Sequence, residues 1–310
     1  MPGYQLSKLL TRDQHPVLDG AMATELEKLG VDTTSSLWSA SALLHQPDAV
    51  TSVHRAYFEA GANVATTNTY QANIAAFVQL GLSEAEAANI IRRAVHSAVT
   101  ARHEVTLRNP NHPMVVAGSV GPYGAFLADG SEYTGAYRLT EGEYKDFHRS
   151  RIQLLLEAGV DCLALETMPN AGEVRALLSL LSEEFPQAEA WLSFSVADAE
   201  HLCDGTALSE VLPEVNSCDQ VLAVGVNCLD CLKVTPVLQV LAQLTHKPLL
   251  AYPNSGETYD PVTKTWQQAP AHRRLGELAG AWGQAGVSLV GGCCRTSPSD
   301  IAELAAWARG

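Results

Sequence analysis

Several familiar features are missing from this chain, and each absence removes a class of function. No run of about 20 apolar residues occurs, so no transmembrane helix is expected. The opening stretch, MPGYQLSKLLTRDQHP, holds no long apolar core and does not read as a secretory signal. Charged residues make up 17% of the chain, below the ~25% usual for globular proteins. Positive charge is the scarcer sign: 20 Lys and Arg stand against 34 Asp and Glu, a net charge of -14. Nucleic acid and anionic membrane surfaces repel such a chain, so neither is expected as a partner. An acidic cytoplasmic enzyme is the plainest reading, with a cationic ligand weakly favoured.

Common catalytic signatures are missing too. There is no HExxH and no His-x-His after the first strand, and the 10 His are scattered. No GxSxG marks a nucleophile elbow. Gly118-Ser119-Val120-Gly121 with Gly124 lacks the Lys-Ser/Thr of a P-loop. Asp19-Gly20-Ala21-Met22, after the first strand candidate, is no dinucleotide-binding turn.

What is present is alternation. Short apolar runs at Val17–Leu18, Val64–Thr67, Met114–Ala117, Cys162–Glu166, Trp191–Val196, Val221–Val226, Pro248–Tyr252 and Val287–Val290 read as strands buried on both faces. Helical spacing runs through Asp48–Ala60, Ser83–Leu107, Glu141–Ala158, Gly172–Phe185, Ala271–Ala285 and Pro298–Arg309. Gly61, Gly159 and Gly286 are placed to end helices, and Ser297-Pro298 to start one. Eight strands with helices between them predict an α/β chain folded as a single (β/α)₈ TIM-type barrel, one domain over residues 1–310. The irregular stretch Gly118–Arg138 is long enough to suggest a functional loop.

The chain has 7 Cys, an odd number, which reads as reduced thiols in the cytoplasm. Cys228 ends the sixth strand candidate, and Cys293-Cys294 follow the eighth through Gly291-Gly292. The strand ends of a parallel barrel share one face, so these three thiols should converge there. Three thiolates suit zinc with one open position. The glycine pair frees the backbone for adjacent cysteines to reach one metal. Spacing alone also admits inert buried thiols, a closed four-thiolate site using Cys231, or a redox pair in Cys228-Leu229-Asp230-Cys231. Cys231 opens the next helix and should point along it. Cys162, Cys203 and Cys218 read as core or incidental.

Six segments together resemble the homocysteine S-methyltransferase family: Asp19-Gly20-Ala21-Met22, Thr66-Thr67-Asn68-Thr69-Tyr70, Leu165-Glu166-Thr167, Gly225-Val226-Asn227-Cys228, Tyr252-Pro253-Asn254-Ser255-Gly256 and Gly291-Gly292-Cys293-Cys294. They span nearly the whole chain. Ala21 departs from the second glycine that relatives often carry in the first motif. Gly121-Pro122-Tyr123-Gly124 and Leu127–Tyr133 resemble the branch of the family that uses S-methylmethionine.

The resemblance implies one Zn²⁺ on Cys228, Cys293 and Cys294, with homocysteine and a sulfonium methyl donor as substrates. S-methylmethionine is the expected donor; S-adenosylmethionine and selenium acceptors share the same chemistry. It further implies that backbone N–H groups of Asp19, Gly20, Ala21 and Met22 hold the homocysteine carboxylate. Glu166 would pair with its ammonium, where an ordinary structural salt bridge is the alternative. Asn254 would orient substrate or a zinc ligand, or else simply form a turn. Thr67 and Asn68 are weaker candidates. Tyr123, Asp129 and Glu132 are the candidates for contact with the donor.

Overall fold

The computed structural model describes residues 4–11, 15–33, 38–260, 265–267 and 274–310. Its strands are β1 (Val64–Thr66), β2 (Val115–Val120), β3 (Cys162–Met168), β4 (Ala190–Phe194), β5 (Val221–Asp230), β6 (Leu249–Asn254), β7 (Thr258–Asp260), β8 (Thr265–Gln267) and β9 (Val287–Val290). Seven of them form one parallel sheet in the order β1-β2-β3-β4-β5-β6-β9. β7 and β8 form a separate antiparallel pair between β6 and the next helix, a pairing that the hydrophobic pattern does not announce.

The helices are α1 (Leu6–Leu10), α2 (Met22–Lys28), α3 (Ala42–His45), α4 (Pro47–Ala60), α5 (Ile74–Gln79), α6 (Glu84–Arg108), α7 (Tyr123–Leu127), α8 (Glu141–Ala158), α9 (Ala171–Glu184), α10 (Leu208–Ser217), α11 (Val234–Leu244), α12 (Leu275–Gln284) and α13 (Pro298–Ala308). Local chemistry sets their ends. Ser83 and Glu86 form a reciprocal capping box on α6, as do Thr140 and Glu143 on α8 and Ser297 and Asp300 on α13. Gly61 and Gly159 close α4 and α8 in the left-handed conformation, φ 109° and 93°, as their positions suggested. The expected helix Ala271–Ala285 starts later, at Leu275; residues 271–273 lie outside the described residues.

The sheet has seven strands and not the expected eight. Val17–Leu18 is too short to form a ladder of its own, but Val17 bridges Val290 and Leu18 bridges Val64, both in parallel. This segment therefore lies between the two outermost strands, β1 and β9. The sheet curls so far that one face of every strand meets in a single cluster. That cluster includes Val64, Val115, Ala164, Trp191, Ala223, Leu250 and Leu289, with Leu6 and Leu9 of α1 packed among them. The opposite faces pack against the helices, which explains why β2 and β3 are buried at every position. Among the described residues, no helix is long and apolar enough to cross a membrane.

β5 and β6 approach so closely at Gly225 that a Cβ there would overlap the Leu250 carbonyl oxygen. Gly225→Ala is therefore expected to cost about 3 kcal/mol or more of stability. Gly280→Ala in α12, where a Cβ meets nothing within 4 Å, is expected to gain about 0.5–1 kcal/mol. Urea denaturation of both variants checks the pair.

Candidate metal centre

Cys228 lies near the C-terminal end of β5, and Cys293 and Cys294 follow β9. Their Sγ atoms all lie within 4.8 Å of one another, and no disulfide joins them. Cys228 Sγ and Cys294 Sγ are 3.8 Å apart. A tetrahedral zinc with Zn–S of ~2.3 Å has sulfur–sulfur edges of about 3.8 Å. The three soft donors thus fit such an ion by chemistry and by spacing. Cys293 is pushed well below the usual thiol range by hydrogen bonds from the other two thiols, while Cys228 is pushed up.

The backbone that gathers these thiols departs from regular strand geometry. After Val290, Gly292 turns where a side chain would collide with Thr296. Cys293 N–H then donates to Pro253 O at 2.7 Å, and Cys294 N–H to Asn254 Oδ1 at 3.1 Å. Cys228 sits at φ 55°, and two more non-glycine residues beside the centre, Thr167 and Arg295, are at 60° and 64°. Such left-handed residues cost of order 1–3 kcal/mol each and persist only where their surroundings impose them. Asn227 supplies part of that constraint. Its carboxamide accepts from Thr167 N–H at 2.8 Å and Ser193 O–H at 2.7 Å, and donates to Thr167 Oγ1 at 2.7 Å. Cys231 is buried in the hydrophobic core, outside the thiol cluster. Cys162 is buried within β3, and Cys203 and Cys218 lie beside Ser195 and Ser182.

One cavity opens onto the three cysteines, and Asp19, Gly20, Ala21, Met22, Thr67 and Glu166 line it with them. Glu166 accepts hydrogen bonds from Ser119 and from Tyr252 O–H, the latter at 3.2 Å, and burial raises its pKa to about 8. Asp19 accepts from the Thr66 N–H and hydroxyl; burial raises it to about 7 against the pull of those bonds. Ala21 N–H is already taken by Thr296 Oγ1 at 3.2 Å, and Asp19 N–H by Val64 O. Among the described residues, the N–H groups of Gly20 and Met22 have no protein partner. The Thr67 hydroxyl is engaged by Thr69 and Ser119, and Asn68 by Ser39. Asn254 stands behind the cavity, holding Cys294.

The expected donor residues are placed differently. Tyr123 packs into an aromatic group with Phe126, Tyr137 and Phe147, away from the cavity. Asp129 is exposed and accepts Ser131 N–H. Glu132 is partly buried, with one carboxylate oxygen lacking a partner and its pKa raised by burial. None of the three lines the cavity. Three tyrosines do, Tyr70, Tyr133 and Tyr252, the last of them bonded to Glu166. Tyr70 follows the end of β1, a position that strand topology marks as facing the site. Tyr133 ends a short 3₁₀ turn, Ser131–Tyr133, where strand topology gives no such signal. Among the described lining residues Asp19, Glu27 and Glu166 are acidic, and none is Lys, Arg or His.

A curled parallel sheet with three converging thiols beside buried carboxylates defines an α/β protein with a thiol cluster that could hold a metal next to an acidic cleft. Comparison with known proteins agrees. The model of the homocysteine S-methyltransferase family matches residues 16–308. Homocysteine S-methyltransferase YbgG of Bacillus subtilis is 46% identical over 303 residues, covering 96% of each chain. The Escherichia coli homocysteine S-methyltransferase is 47% identical over 303 residues, covering 97% of each. The crystal structure of the homocysteine methyltransferase MmuM from Escherichia coli, in its metallated form, superposes with a TM-score of 0.89 at 45% identity, over 97% of this chain and 99% of that one. The chain belongs to the homocysteine S-methyltransferase family.

Two outcomes follow from the centre's geometry. Cys228→Ser is expected to weaken binding of a thiophilic divalent ion by about 100-fold or more, while Cys231→Ser leaves it near wild type; competition against a chromophoric chelator measures both. In the metal-free protein, Glu166 binds its proton more tightly folded than unfolded, so stability falls as pH rises from its unfolded value of 4.5 to about 8. Glu166→Gln is expected to flatten that slope, read from denaturation midpoints across the same range.

Proposed function

We propose that this protein transfers a methyl group from S-methylmethionine to the thiol of homocysteine, forming methionine, and that the metal on Cys228, Cys293 and Cys294 is zinc. The observation that carries this reading is the three-thiol cluster facing a cleft with buried carboxylates and no basic group among its described lining residues. Bound zinc supplies the positive charge that keeps a substrate thiol, ordinarily of pKa ~8.5, in its nucleophilic thiolate form at neutral pH. Cys228, Cys293 and Cys294 would hold it and leave one position for that thiol.

The remaining work belongs to the chain. Glu166 and Asp19 receive the homocysteine ammonium, whose charge offsets the burial that raises their pKa values. The free N–H groups of Gly20 and Met22 receive the carboxylate. Asn254 holds the Cys294 N–H, and Asn227, next to Cys228 in the chain, is anchored to Thr167, so that the thiols cannot drift apart. Tyr70 and Tyr133 offer aromatic faces to the sulfonium, a better fit than Tyr123 and Asp129, while Glu132 adds negative charge behind them. As the homocysteine sulfur bonds to the methyl carbon, the donor's sulfur–methyl bond breaks in line. The donor leaves as neutral methionine, and the thiol proton has already gone to solvent. Thiolate and sulfonium charges cancel, a change that a dry acidic cleft favours. S-adenosylmethionine carries the same sulfonium and is a secondary donor in this reading; a selenol acceptor meets the same contacts.

The bridges of Val17 and Leu18 to both outermost strands support a ring closed as a (β/α)₈ barrel, with this segment as eighth strand and residues 1–310 as one domain. Seven free cysteines suit a reducing cytoplasm.

Zinc-loaded protein is expected to form methionine from homocysteine and S-methylmethionine, and chelator-treated protein is not. Glu166→Gln is expected to raise the homocysteine KM about tenfold or more through loss of a charge-assisted bond. An unchanged KM would remove Glu166 from the substrate site, and the absence of product from folded, zinc-bound protein would overturn the donor assignment.

A further inference from the structure

The ionic network between α8, α9 and the loop after β2 has no part in the chemistry above. Glu173 and His148 are completely buried and Arg151 is 1% exposed. Removing charged groups from water is costly, and an apolar core of equal volume is generally at least as stable. The network's partners show what it holds. Glu173, in the first turn of α9, accepts Tyr123 N–H at 2.6 Å and the Tyr137 hydroxyl. These two tyrosines bracket the segment that carries Tyr133. Glu173 also takes a hydrogen bond from His148 Nε2 at 2.8 Å, and His148 Nδ1 accepts one from Arg151 at 2.9 Å. Both ring nitrogens are thus committed, one as donor and one as acceptor, which only a neutral ring can satisfy. Arg151 also donates to Gly121 O at 2.6 Å and to Tyr70 O at 3.2 Å.

Gly121 completes the contact, since a Cβ there would lie 2.5 Å from Tyr70 O and 2.7 Å from the Tyr70 ring. At the far end of the segment, Asn170 donates to Gly135 O at 3.2 Å and to Tyr137 O at 3.0 Å. Glu173, His148 and Arg151 do not line the cavity, whereas Tyr70 and Tyr133 do.

We propose that Glu173, His148 and Arg151 are positioning residues that clamp both ends of the 121–137 segment and the Tyr70 backbone, so that Tyr133 and Tyr70 are fixed as the wall for the sulfonium donor. The proposal rests on the reading of those two tyrosines as the donor's wall. Homocysteine's proposed contacts come from the turn at Asp19, from β3 and from the cysteine turns, and among the described residues no hydrogen bond joins the side chains of Glu173, His148 or Arg151 to these segments. Loosening the clamp therefore affects donor binding selectively.

Two measurements on the full-length protein test this: amide hydrogen exchange over residues 121–137, and separate KM values for S-methylmethionine and homocysteine on the zinc-loaded enzyme. Glu173→Gln and Tyr137→Phe are expected to speed exchange in that segment and to raise the donor KM by about tenfold, with the homocysteine KM and zinc content within about twofold of wild type. His148→Gln can donate and accept in the same places, so it stays closer to wild type than His148→Leu. If Glu173→Gln fails to fold, Tyr137→Phe decides, because it removes a single hydroxyl from a partly exposed ring. Unchanged exchange and donor KM, equal rises in both KM values, or His148→Gln no better than His148→Leu would overturn the clamp. Wild-type protein that makes no methionine from S-methylmethionine would instead fail the functional reading, and the exchange data would still decide whether the segment is clamped.

Discussion

The meeting of three sulfurs from two distant chain segments is the constraint on which the rest of this structure depends. β5 and β9 are not neighbours; β6 runs between them in the sheet. Their ends meet because the sheet is parallel, so its strands finish on the same side, and because it curls enough to bring those ends inward. The final few ångströms come from irregular backbone. Gly292 turns beneath Thr296, Cys228 adopts a left-handed conformation, and β5 loses register with β6 between Asn227 and Asp230. Thr296 ties this turn to the first one, donating to Cys293 O at 2.7 Å while accepting Ala21 N–H. Tyr57 reaches from α4 to both, donating to Ala21 O at 3.0 Å and Thr296 O at 3.2 Å. A single knot of hydrogen bonds thereby fixes the thiol cluster and the turn at Asp19 relative to each other.

The electrostatics follow from that knot. Three thiols, Asp19 and Glu166 occupy one buried region with no basic side chain among the described cavity residues. In isolation the carboxyls respond by holding their protons, which is why burial raises both. Cations relieve the arrangement: a metal for the thiols and an ammonium for the carboxyls. A positively charged methyl donor suits the same negative field. In the proposed function the ligands neutralise the unfavourable charge that this site gathers, and strained residues lie beside it.

Most of the architecture was legible because the signals were local and redundant. β9 and α8 have the ends that the sequence indicated, since Val287–Val290 is bounded by glycine on both sides and α8 carries a capping box and a terminal glycine. The cysteine convergence was legible from strand ends alone, given a parallel sheet. What escaped was non-local. Val17–Leu18 reads as a strand in the sequence, but that it forms only single bridges to its two neighbours, and no ladder, depends on those neighbours. α10 carries Pro213 in its interior, which weakens its helical signal, yet its apolar face is buried. Thr296 looks like an ordinary residue before a helix until Gly20 and Gly292 close around it. Tyr133 ends the motif that resembles the S-methylmethionine branch, but its place beside the thiols depends on anchors, Glu173 and Arg151, that lie on helices farther along the chain.

The central claim is that three cysteines hold zinc with one position kept for the substrate thiol, and X-ray absorption at the zinc edge tests it most directly. Zinc-loaded protein should show three sulfurs at ~2.3 Å together with one lighter neighbour, and four sulfurs once homocysteine is added. Four sulfurs before homocysteine is added, or a count that stays at three afterwards, would contradict the account.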